Sequence, residues 1–186
     1  MIRSAIAAGV VALAASSANA AQLDFTAGVL SGGGTILTMP DATVTAAAGT
    51  TLSIGDFVAN AVCPLSGVGG CIGGMTLEWS YDVQNVNFEY GFGNLGDSAT
   101  VTALDSMMGV VGSVLLTLDS GTALEDLSGL GVFRSLVFDN SASTGAGYAY
   151  GNVNFDRAAV VPLPAALPLL LGGLAGLALL GRKRAA

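Results

Sequence analysis

Residues 75–93 read MTLEWSYDVQNVNFEYGFG, and no other stretch narrows the fold so far. Its apolar positions are first odd (Leu77, Trp79, Tyr81, Val83) and then even (Val86, Phe88, Tyr90, Phe92). Alternation of this kind marks a β-strand with one face buried. A period of two cannot change parity within one regular strand, so a bulge or a turn is predicted near Gln84 and Asn85.

The rest of the body follows the same habit. No helix-period segment longer than two turns occurs between Gln22 and about Asn154. LDFTAGV would place Leu23, Phe25, Ala27 and Val29 on one face. TLSIGDFV offers Leu52, Ile54 and Val58, SVLLTLD offers Val114, Leu116 and Leu118, and NVNFD offers Val153 and Phe155. Gly, Asn, Asp and Ser bound these runs, as turns require. The most helix-like segment is GTALEDLSGLG, where Leu124, Leu127 and Leu130 recur every third residue and predict a single turn or a short helix. No repeat with a fixed period of 20–50 residues stands out. The expected fold is all-β: a single sandwich or jelly-roll-like domain over residues 21–156, flanked by an N-terminal signal peptide (1–20) and a C-terminal segment (157–186).

Charge removes several functions. All thirteen acids lie between Asp24 and Asp156, and between the basic residues at the two ends they are met only by Arg134 and Arg157, a net of −11 over residues 21–160. Such a surface repels phosphate backbones, so no nucleic-acid partner is expected. There is no histidine, and the only lysine is Lys183. That excludes histidine-dependent nucleophilic triads, histidine-ligated metals and a P-loop. GFGNLG at 91–96 matches Gly-x-Gly-x-x-Gly, but the alternating DSATVTALD that follows makes it a turn between strands.

The N-terminus has the layout of a secretory signal. Arg3 is followed by AIAAGVVALAA, and SSANA ends in a small-x-small pattern with Ala18 and Ala20 at −3 and −1, so cleavage is expected before Ala21. Export suits the two cysteines: Cys63 and Cys71 bracket CPLSGVGGC and are expected to form a disulfide.

Four chemistries can be weighed against simpler readings. Glu78, Asp82 and Glu89 are acids of the type a glycosidase uses, but acids on the solvent face of a strand are ordinarily just solvated, so no enzyme is expected. Trp79, Tyr81, Tyr148 and Tyr150 would make a sugar-stacking platform, although aromatics at strand period more often fill a core. Calcium is the cofactor that the oxygen donors Asp97, Asp119, Asp139 and Asn140 admit, with no EF-hand spacing to assign a site. A zinc site lacks ligands, since two thiolates without histidine leave the ion short.

Between Arg157 and Arg182 no charge occurs for 24 residues. Pro162 and Pro164 keep the segment extended up to Ala165, and residues 165–181 then give roughly 25 Å of helix, slightly short of a bilayer core of about 30 Å. Arg182, Lys183 and Arg184 form a basic stop that stays cytoplasmic by the positive-inside rule. The order of Val161, Pro162, Leu163, Pro164 and Ala165, then a Leu/Gly/Ala span, then an arginine-rich end, resembles a VPLPA-CTERM sorting signal, a relative of the PEP-CTERM signal. Leu163 stands where the broader group has Glu. The resemblance covers about 26 residues. It implies recognition by an exosortase at the inner membrane, cleavage near the motif and transfer of the body to the cell surface or beyond, often where exopolysaccharide is made. It implies nothing about the fold of residues 21–160. The two functional expectations are a non-enzymatic surface or matrix protein and, as the alternative, a carbohydrate-binding β-sandwich delivered by the same route, with exopolysaccharide as a candidate partner.

Overall fold

The computed structural model describes residues 20–55 and 58–159. Ala18, the five residues from Val161 to Ala165, and Arg182, Lys183 and Arg184 lie outside the described residues. Twelve strands form: β1 (Ala20–Gln22), β2 (Val29–Ser31), β3 (Ile36–Thr38), β4 (Ala42–Ala46), β5 (Thr50–Gly55) and β6 (Ala61–Ser66). They continue with β7 (Gly74–Gly91), β8 (Ser98–Leu104), β9 (Val110–Thr117), β10 (Thr122–Asp126), β11 (Phe133–Asp139) and β12 (Ala149–Arg157). The only helical pieces among the described residues are two three-residue 3-10 turns, Phe25–Ala27 and Ser128–Leu130.

All twelve strands belong to one curled antiparallel sheet, and β7 is its hinge. The first half of β7 lies between β4 and β11 in the order β2-β3-β4-β7-β11-β8-β9. Its second half pairs with β10 and β12, and β12 in turn pairs with β1 and β6, with β5 beyond. The two halves fold face to face over a shared aromatic core. Phe138 of β11 packs on Tyr150 of β12 with ring centroids 4.3 Å apart, although those strands are not hydrogen-bonded neighbours. Trp79 meets Phe155 at 5.6 Å and Phe133 at 6.1 Å, and Phe88 meets Phe138 at 5.6 Å. Each such ring, wholly buried, contributes on the order of 2–3 kcal/mol.

The parity reversal is resolved by a bulge. β7 runs unbroken for 18 residues. Asn85 adopts φ 51°, a left-handed conformation that asparagine tolerates better than most residues. Val83, Val86 and Phe88 are consequently all buried. Leu52, Val58, Leu116, Val153 and Phe155 are buried as expected, and Ile54, Val114 and Leu118 pack partly buried around the core.

One local expectation is corrected and a second is narrowed to its single turn. LDFTAGV is not one strand: Asp24 accepts hydrogen bonds from the N–H groups of Thr26 (2.9 Å) and Ala27 (3.2 Å), which winds the chain into the first 3-10 turn. Leu23 and Phe25 are buried, but Ala27 and Val29 face solvent. In GTALEDLSGLG the helix is reduced to the turn at Ser128–Leu130, because residues 122–126 pair with β7 as β10. Leu124 therefore points outward while Leu127 is buried.

Cys63 and Cys71 form the expected disulfide. Together with Val58, Ala61 and Ala149 they make a small second core. β1 pairs Ala21 with Phe155 and Gln22 with Asn154.

Candidate functional site: an amide and carboxylate ladder on β7 and β12

Most of the residues singled out for chemistry have structural duties. Trp79, Tyr148 and Tyr150 are buried to within 1% and belong to the core, so the four-ring platform is not built. Tyr81 is half-buried, with the Arg157 guanidinium 3.6 Å from its ring centroid. Asp82 pairs with Arg134 at 2.8 Å. Glu78 and Asp82 lie four positions apart on a strand, roughly 13 Å along its axis, and Glu89 is eleven positions from Glu78, roughly 35 Å. Glycosidase carboxylates sit about 5–9.5 Å apart, so these do not form such a pair.

Three of the four oxygen donors named for calcium, Asp97, Asp139 and Asn140, are engaged. Asp97 is buried in the loop after β7, and its carboxylate accepts the N–H groups of Asn94 (2.8 Å), Thr144 (3.0 Å), Gly145 (2.7 Å) and Gly147 (2.9 Å). Burial raises its pKa, but these four donors outweigh it and hold the carboxyl below its ordinary value. Asn140 is buried too. It donates to the carbonyls of Cys71 and Tyr148 and accepts from the Tyr150 hydroxyl. Burial pushes that hydroxyl well above the ordinary phenol value. Asp119 and Asp139 are exposed, the latter capping Ser141 N–H at 2.9 Å. Among the described residues no group of three or more His, Cys, Asp or Glu side chains is placed to hold a metal ion.

The groups left for recognition lie on the outer face of β7 and β12, opposite the core. β12 carries its own bulge: Asn152 has φ 46°, and the inward positions shift from Tyr150 to Val153 and Phe155. The two bulges face each other across an antiparallel pair, and the residues around them repeat. Asn85-Val86-Asn87-Phe88-Glu89 is matched by Asn152-Val153-Asn154-Phe155-Asp156. In both copies the valine and phenylalanine enter the core, and the asparagines and the acid turn outward.

The contacts obey the same two-fold relation. Asn85 Nδ2 donates to Asp156 Oδ2 at 2.9 Å, and its counterpart Asn152 Nδ2 donates to Glu89 Oε2 at 2.7 Å. At the centre Asn154 Nδ2 donates to Asn87 Oδ1 at 3.1 Å. The strand register agrees, since Gly151 opposite Glu89 maps onto Gln84 opposite Asp156, and Tyr150 opposite Tyr90 maps onto Val83 opposite Arg157. Even the outer strands conform. Leu127 N donates to Val86 O at 2.8 Å, as Leu23 N does to Val153 O at 2.9 Å.

Asn87, Glu89, Asn152, Asn154 and Asp156 are half-buried, and Asn85 is exposed. An amide has two N–H donors and two acceptor lone pairs, so each asparagine keeps capacity beyond the ladder itself. The result is a row of planar groups, held by one another, offering donors and acceptors side by side. A separate concavity of about 500 Å³ lies at the start of β7, lined among others by Thr50, Ser66, Ile72, Met75, Phe138 and Asp139.

Sequence reasoning missed the ladder. The signal was present as the repeated Asn-Val-Asn-Phe-acid, but its copies lie 67 positions apart, beyond the periods that mark repeat architectures.

No protein-family model and no curated protein matches the chain. Among solved structures it is similar to the carbohydrate-binding module CBM29-2. An arginine-to-alanine variant of that family 29 module shares 15% identity at a TM-score of 0.43, covering 76% of this chain and 92% of that one. A second variant, complexed with mannohexaose, shares 16% at the same TM-score, covering 76% and 93%. A histidine variant of the lectin-binding domain of lectinolysin, complexed with Lewis b, shares 12% at a TM-score of 0.33, covering 77% and 94%. Likeness at this level does not reach a shared function, and what the site does rests on its own geometry.

Proposed function

We propose that this is a non-enzymatic, exported β-sandwich that binds a neutral polysaccharide at the cell surface or in the extracellular matrix. The observation that supports the binding is the two-fold ladder of Asn85, Asn87, Glu89, Asn152, Asn154 and Asp156 on one exposed face. Neighbouring hydroxyls of a sugar each donate and accept, and planar amides and carboxylates meet them with paired bonds. The net of −11 on the body disfavours uronate, sulfate or phosphate polymers, which leaves neutral glycans. The delivery route is the signal peptide at 1–20 and the VPLPA-type segment at 157–186, with exosortase and the inner membrane as partners on the way.

Affinity electrophoresis of the full-length chain, in a detergent without sugar headgroups, tests the binding. The probes are hydroxyethylcellulose, glucomannan, laminarin and soluble starch, with alginate as the anionic control. At least one neutral polymer should retard the protein. Asn87→Ala with Asn154→Ala should weaken that retardation about tenfold, the equivalent of one or two neutral hydrogen bonds, with an unchanged melting temperature. Retardation by none of the neutral probes refutes the reading.

The route has its own test. Pro162→Ala with Pro164→Ala should leave insertion intact yet strand the protein in the inner membrane at unprocessed mass. The comparison is between hosts with and without an exosortase, and identical full-length protein in every case would mean a plain anchor.

A further inference from the structure

We infer that the ladder holds its polysaccharide in either chain direction. This deepens the carbohydrate-binding reading and rests on it. The local two-fold axis passes between Asn87 and Asn154, perpendicular to the strand pair, and exchanges Asn85 with Asn152 and Glu89 with Asp156. Any line drawn in the layer through that axis is carried onto itself reversed. An extended glycan lying across the ladder therefore meets the same series of amide, amide and carboxylate whether its reducing end points toward Asn85 or toward Asn152.

A sugar chain has polarity, and a site that reads polarity needs different groups at its two ends. Here the ends are alike in residue type, in the left-handed backbone of the leading asparagine (φ 51° and 46°), and in the bond that asparagine makes. The pairing of the strands around them is alike as well, down to the outer partners β10 and β1. The symmetry breaks at the centre, where Asn154 Nδ2 donates to Asn87 Oδ1 at 3.1 Å and to Asn152 O at 2.8 Å while Asn87 only accepts, and at the ends, where Asn85 is exposed and Asn152 half-buried. Gln22 donates to Asn152 Oδ1 at 3.2 Å, whereas its counterpart Asp126 turns to Ser128 N at 2.9 Å. These differences skew the two orientations without removing either.

The test uses the ¹⁵N-labelled full-length chain and cello-, manno-, laminari- and maltohexaose, each carrying a nitroxide at its reducing end. Spin-label broadening of the backbone amides of Asn85 and Asn152 reports where that end lies. With the best-binding hexasaccharide both amides should broaden, to extents within about fivefold of each other. Asn85→Gly and Asn152→Gly, which keep the left-handed backbone free of strain, should weaken binding by factors that agree within about twofold. Broadening at one end alone, or loss on one substitution but not the other, overturns the inference while leaving the binding reading in place. If none of the four hexasaccharides binds, the binding reading falls and the inference with it.

Discussion

At the residue scale, Asp97 accepts from four backbone donors, one from Asn94 of its own loop after β7 and three from the loop before β12, and so holds the two loops together. One of these donors belongs to Gly147, which sits at φ 67° and where a Cβ would run into the Cys71 carbonyl. Two loops therefore meet at this carboxylate, and the Cys71 backbone packs against Gly147. Asp97→Asn replaces two acceptor oxygens by one and sets an amide among N–H groups, so stability at neutral pH should fall by about 3 kcal/mol. The pH dependence has a definite sign. The folded pKa lies below the unfolded one, so the carboxylate's contribution is full above the ordinary carboxylate value of about 4. It is lost as pH falls through the folded value. Melting followed by the fluorescence of Trp79, the only tryptophan, should show the gap between wild type and Asp97→Asn closing toward pH 3. A constant gap would mean that the charge does not matter. Removing the disulfide by Cys63→Ala with Cys71→Ala should cost about 2–3 kcal/mol, the loop-closure value for so short a span.

At the scale of elements, the bulges carry both the fold and the site. Each reverses parity within a long strand, so that both ends of β7 and β12 face one core while the asparagines gather outside. The sequence made the reversal in β7 legible because apolar residues flank it on both sides for four positions. It could not separate a bulge from a turn, because either restores the parity. Pairing with β12 on both sides of the bulge, Asn154 with Asn87 and Asp156 with Gln84, decides that, and those partners lie 67 or more positions away. The bulge in β12 went unread for a plainer reason: Gly151 and Asn152 interrupt the alternation after only two aromatic positions. Leu124, Leu127 and Leu130 misled in the opposite way, since a spacing of three describes a helix only when nothing offers the backbone a strand to pair with, and here β7 does. Asn85 and Asn152 should accordingly accept glycine within about 1 kcal/mol, whereas Asn85→Val or Asn152→Val should cost about 1–3 kcal/mol by forcing a β-branched residue into left-handed backbone. Urea unfolding monitored at Trp79 makes the comparison. Equal stability of the glycine and valine variants would show that the bulge relaxes.

At the scale of the whole molecule, the charge and the sheet edges oppose each other. The body's two arginines are already committed, Arg134 to Asp82 and Arg157 to the Tyr81 ring, so among the described residues most carboxylates have no cationic neighbour. Their mutual repulsion destabilises the folded state and also keeps copies apart. The free edges of the larger half are β2 and β9, neither of which contains a charged residue. On β9 and the turn before it, Met107, Met108, Val110 and Leu115 are all more than 60% exposed. Natural sheets guard such edges with lysine, proline or a bulge; β9 has an irregularity opposite Ala103 and Leu104, and from there to Thr117 no other such device occurs among the described residues. Long-range repulsion from the body is what remains to protect it. Salt should therefore act in two ways at once. Raising sodium chloride from about 0.02 to 0.5 M shrinks the screening length from roughly 20 Å to 4 Å, so the melting temperature should rise by several degrees. Over the same range light scattering should report self-association, and Leu115→Lys should suppress it while leaving the rise in melting temperature intact. A melting temperature that ignores salt would show that the carboxylates are spaced too widely to strain the fold, and association undiminished by the lysine would move the contact away from β9.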